Sequence, residues 1–75
     1  MKQVSYLEME PHKYYKGRKG NAEWQVVQFV RFSSDPTQDA FPIRAIDLDL
    51  DEKFWFDVPD ELYEITEEEI IAWKL

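Results

Sequence analysis

Four carboxylates within six positions, Asp47-Leu48-Asp49-Leu50-Asp51-Glu52, are the residues here whose type and spacing best suit chemistry. Oxygens at the first, third and fifth positions of such a run can ligate a hard cation. The calcium-loop pattern then breaks, because Glu52 stands where the loop requires glycine and Val58 where it requires a bidentate glutamate. A pair of aspartates two apart also suits an aspartyl nucleophile with a magnesium ion. That chemistry needs a parallel sheet and further substrate loops, for which 75 residues leave no room. The expectation is no catalytic residue, no metal and no cofactor.

A third use of the run is electrostatic. Outward side chains two apart on a strand lie ~6.6 Å from one another, from a rise of about 3.3 Å per residue. Phosphates along a nucleic-acid strand are spaced on a similar scale. Asp47, Asp49 and Asp51, with Glu52 and an extension through Asp57, Asp60, Glu61 and Glu64, would imitate a phosphate row. A protein that grips nucleic acid with Lys and Arg could be occupied by such a surface. The plainer reading is a solvated strand whose charge keeps it soluble and discourages edge pairing.

The opposite charge collects earlier, in His12-Lys13-Tyr14-Tyr15-Lys16-Gly17-Arg18-Lys19. Lys13, Lys16, Arg18 and Lys19 with interleaved tyrosines have the ingredients for phosphate contacts and base stacking. Residues 1–34 carry six basic and three acidic groups, whereas residues 35–75 carry three basic and thirteen acidic ones. The acidic half would repel a polyanion, so direct nucleic-acid binding is not expected. His12 has no nucleophile or carboxylate partner in its neighbourhood, and Ser5, Ser33 and Ser34 sit in no nucleophile motif.

Elements that would position these groups follow from pattern. Val4–Glu10 reads as a first strand, and the second half of 12–21 as a hairpin tip. Glu23–Phe32 is apolar on both faces, which suits a central covered strand or a bulge near Val26-Val27. Residues 33–39 are a loop by composition. Phe41–Asp51 reads as a third strand with Ile46, Leu48 and Leu50 inward and the aspartates outward. Phe54–Val58 returns as a fourth, and Pro59–Tyr63 suits a helical turn. Thr66-Glu67-Glu68-Glu69 is a capping box opening a helix that carries Ile70, Ile71, Trp73 and Leu75.

With no cysteine, neither disulfides nor thiolate metal sites are available, and one histidine does not make a zinc site of the usual kind. Five Phe, four Tyr and three Trp must supply the core. Trp24, Trp55 and Trp73 are expected to be mostly core. In Phe54-Trp55-Phe56 the middle ring must point opposite its neighbours, so Trp55 is the candidate anchor of an aromatic patch rimmed by acids. The longest wholly apolar runs are far short of the ~20 residues that span a bilayer.

The expected architecture is one α+β domain, residues 1–75, with a small antiparallel sheet of three to four strands, curled or barrel-like, and a short C-terminal helix packed on it. The expected function is that of a small acidic protein-binding module in the cytoplasm, monomeric or homodimeric, using Asp47, Asp49, Asp51, Glu52, Trp55, Asp57, Asp60 and Glu61 toward a nucleic-acid-handling protein. In class this profile resembles small viral or mobile-element proteins that block a host protein. Nucleic-acid binding through residues 12–19, and self-association through the aromatic faces, are the alternatives.

Overall fold

The computed structural model describes residues 1–74, with Trp73 and Lys74 described in backbone only. The expected packing of Trp73 and Leu75 therefore lies outside the described residues. Six strands form one open, wholly antiparallel sheet: β1 (Lys2–Gln3), β2 (Tyr14–Arg18), β3 (Gln25–Phe32), β4 (Ile43–Asp47), β5 (Glu52–Phe56) and β6 (Glu61–Ile65). Their order across the sheet is β1-β6-β2-β3-β4-β5, and one helix, α1 (Glu67–Lys74), ends the described chain. The α+β description fits loosely, since the sheet dominates and has six strands instead of three or four.

β3 lies inside the sheet, between β2 and β4, and is covered on both faces as its composition requires. Val27 and Phe29 enter one core with Tyr15, Ile43, Ala45, Leu62 and Met9, onto which Val4, Tyr6, Phe32 and Phe56 pack. Val26, one residue out of phase, points to the other face and packs with Ile65 of β6 and Ile70 of α1. Segment 4–9 helps close the first core. It is not the strand its loose alternation suggests, because Tyr6–Glu8 is a single 3-10 turn. The Glu8 carboxylate accepts from the Ser5 amide at 2.8 Å, and the Tyr6 hydroxyl donates to the Pro36 carbonyl at 3.0 Å.

Two other expectations are corrected. Residues 61–65 form β6, not a helical turn, because backbone groups at 60–65 find partners on β2: the Asp60 amide donates to the Arg18 carbonyl at 3.0 Å. Strand β4 ends at Asp47, and 48–51 is a turn. The capping box forms as read. The Glu69 amide donates to Thr66 Oγ1 at 3.2 Å, and the Thr66 amide donates to Glu69 Oε1 at 3.3 Å. The amino terminus lies 3.2 Å from Glu69 Oε2 and, by hydrogen bonding to it, holds that carboxyl below its ordinary pKa.

Tyr15 shows how closely this core is satisfied. Its ring is buried edge-on to Phe29, at 6.5 Å between centroids, and its hydroxyl accepts from the Glu10 amide at 2.7 Å. Burial pushes the phenol above its ordinary 10.0. The folded state thus favours the protonated ring, so the contribution is complete below pH 10 and is lost as pH rises through the folded value. Tyr15→Phe should cost about 1–2 kcal/mol at pH 7, the penalty for an amide left without its acceptor. It should also flatten the fall in stability above pH 10, as checked by urea melts at pH 7 to 11.

Candidate functional site

Asp47 faces inward. Its residue is 8% exposed, and its Oδ1 accepts from the Asp49 amide at 2.9 Å and the Leu50 amide at 3.3 Å. The Asp51 amide closes the turn on the Asp47 carbonyl at 2.7 Å. An Asp side chain that bonds its own downstream amides competes with strand pairing, and here the turn prevails. The expected row of three outward aspartates is therefore not formed, and Leu50, read as inward, is 62% exposed. What stands out instead is a hairpin tip: Asp49, Leu50, Asp51 and Glu52, all exposed, held by the Asp47 carboxylate beneath them.

Asp51 takes the left-handed conformation, φ 56°. That geometry costs a non-glycine residue about 1–2 kcal/mol, partly offset when Gly replaces it by glycine's greater freedom in the unfolded chain. Asp51→Gly should raise stability slightly, by about 0.5 kcal/mol, and Asp51→Val should lower it by more than that. Thermal unfolding of the two variants checks the order.

Further acids expected to extend the ridge are engaged elsewhere. Asp57 lies 3.0 Å from Lys19 Nζ, the Asp60 carboxylate accepts from the Gly20 amide at 2.6 Å, and Glu61 pairs with Arg18. Lys13 bridges Glu10 at 2.7 Å and Glu64 at 3.2 Å. Hydrogen bonds that Lys13 donates to these carboxylates, Glu10 first, raise its ammonium above its ordinary pKa, and Lys13 in turn holds the Glu10 carboxyl down. The sequence's charge asymmetry is thus partly cancelled in space, with Lys13, Arg18 and Lys19 seated against Glu64, Glu61 and Asp57 of the second half. Lys16 rests on the Trp24 ring at 4.6 Å, beside Arg18 at 4.4 Å. Tyr63 flanks the same indole, with ring centroids 6.0 Å apart.

Trp55 does point opposite Phe54 and Phe56, and it is 40% exposed. Its surroundings differ from expectation. The rim is basic: Arg31 and Arg44 lie 5.1 and 5.4 Å from the ring centroid. Arg44 is directly opposite Trp55 across β4 and β5, and Arg31 is opposite Arg44 across β3 and β4. Pairing runs from Phe29–Ala45 to Arg31–Arg44, leaving Val30 as an extra residue. This bulge turns Arg31 from the face of Phe29 to the face of Trp55. It falls three residues beyond the expected Val26-Val27 position, and no local composition marks it.

Two sites therefore emerge, the acidic tip and the Arg31–Arg44–Trp55 cluster. The first was partly expected and the second was missed, since it is assembled from three strands by register. Among the described residues no group of three His, Asp or Glu is placed to hold a metal, and no helix is long and apolar enough to cross a membrane. Compared with known proteins, the chain matches no family model, no curated protein and no solved structure.

Proposed function

We propose that the chain is an acidic, non-catalytic protein-binding module that presents the β4–β5 tip to a basic surface of its target, of the kind that normally grips nucleic acid. The observation that carries this reading is Leu50, 62% exposed between Asp49, Asp51 and Glu52 on a turn held by Asp47. An apolar side chain supplies contact area, and the surrounding carboxylates steer the encounter and reject acidic surfaces. A turn already bonded in its exposed shape loses little freedom on binding. Inhibition of a nucleic-acid-handling protein is the activity that follows, as for the small blocking proteins of viruses and mobile elements.

Direct nucleic-acid binding through residues 12–19 has less to work with, because Lys13, Arg18 and Lys19 each hold a carboxylate. The test is capture from the producing cell's lysate by wild type, by an Asp49→Asn, Asp51→Asn, Glu52→Gln variant, and by Leu50→Ser. Capture of one nucleic-acid-handling protein should fall roughly tenfold or more in the charge variant, weaken with salt, and be competed by DNA. Equal capture by the folded charge variant would sink the reading.

A further inference from the structure

The Arg31–Arg44–Trp55 cluster is a separate surface from the hairpin tip, and its charge is unresolved. Lys13, Arg18 and Lys19 all have carboxylate partners, whereas among the described residues neither Arg31 nor Arg44 is in an ion pair. Like charges directly opposite on neighbouring strands repel. This pair exists only because the bulge at Val30 turns Arg31 toward Arg44. The Trp55 ring offsets part of the repulsion by accepting both cations. Thirteen acidic residues lie in 35–75, yet the residues in register beside the cluster on this face, Gln28, Ile46 and Lys53, carry no negative charge.

We propose that this cluster binds a phosphate monoester dianion. A guanidinium is a planar fork that engages two oxygens of one anion, and phosphate offers several oxygens to more than one fork. A single carboxylate would neutralise only one of the two cations, while a phosphate monoester carries two charges on the oxygens of one atom, which the separated carboxylates of a dicarboxylate do not. A single terminal phosphate also meets little of the repulsion that the chain's net charge of −7 imposes on a polymer. The exposed part of Trp55 then offers apolar area to whatever carries the phosphate. A nucleoside monophosphate should bind more tightly than inorganic phosphate for that reason.

The test is a low-salt NMR titration of the intact chain with inorganic phosphate, adenosine 5′-monophosphate, succinate and a single-stranded oligonucleotide, at matched ionic strength. The expected result is saturable shifts of the Arg31 and Arg44 side-chain Nε–H and Trp55 indole N–H signals with both phosphates. Affinity should rise as pH passes about 6, where a phosphate monoester loses its second proton. Arg31→Gln and Arg44→Gln should each weaken binding roughly tenfold with the backbone spectrum retained. Arg31→Lys, which keeps the charge and loses the fork, should also weaken it. Shifts that do not saturate, that succinate reproduces, or that survive the double Gln variant would overturn the proposal. So would an oligonucleotide that binds much more tightly than the monophosphate, because the cluster would then belong to a nucleic-acid surface.

Discussion

Phe29→Ala should leave the chain largely unfolded at 25 °C, with the far-ultraviolet circular dichroism of the sheet lost and no cooperative urea transition. Phe29 is buried on the central strand, 4.8 Å from Phe32 and 6.5 Å from Tyr15 between ring centroids. Truncating such a ring costs about 3–5 kcal/mol, from lost transfer free energy and from the cavity left behind. A domain of 75 residues has a total stability of only about 4–11 kcal/mol, at roughly 0.05–0.15 kcal/mol per residue. The loss is therefore a large share of the total, and all of it at the lower end of that range. A surface pocket of 60 Å³, lined by Arg18, Lys19 and Asp57, also reaches Met9, Val27, Ile43 and Leu62 of this core. Phe41→Ala is the matched control. Phe41 is exposed, and its removal should change stability by no more than about 0.5 kcal/mol. A cooperative melt for Phe29→Ala close to wild type would show that this core does not carry the fold.

Asp47 should separate charge from hydrogen bonding at the tip. Asp47→Ala removes the acceptor of the Asp49 and Leu50 amides, and should lower stability by about 1–3 kcal/mol. Asp47→Asn keeps an oxygen at the same place and should cost less than about 1 kcal/mol. Amide hydrogen exchange at Asp49 and Leu50 should speed up strongly in the Ala variant and little in the Asn variant. If the tip is the binding surface proposed above, partner capture should follow the same order, because Asp47 holds its shape. Equal losses for Ala and Asn would mean that the Asp47 charge matters and the turn does not.

At the tip, two folding outcomes compete for one sequence pattern. Asp47 to Glu52 alternates as a half-buried strand does, and period-two alternation is the usual sign of one. An aspartate can also fold the chain over its own carboxylate, and the two outcomes share a sequence pattern. Pairing decided between them: Asp47 opposite Glu52 is the last rung of β4 and β5, and the four residues between have no strand to join. Leu50 accordingly faces solvent, where the alternation predicts an inward side chain. Pro59–Tyr63 departs from its expected helical turn for the same kind of reason, because a proline start suits such a turn unless a waiting edge, here β2, offers better partners.

Several features were fixed by the sequence itself because the forces behind them are local. The capping box needs only Thr66 and Glu69 three residues apart. Apolar residues in both phases from Val26 to Phe32 required cover on two faces, and Trp55 had to point away from Phe54 and Phe56. The tertiary structure alone decided which charges met. Lys19 found Asp57, Arg18 found Glu61, and Arg31 was turned by a one-residue bulge onto Arg44 and Trp55. These partners are up to 43 residues apart, and a shift of one residue in register reverses the face of every side chain beyond it. Local pattern states which residues want cover or charge; strand order and register determine which of them share a surface.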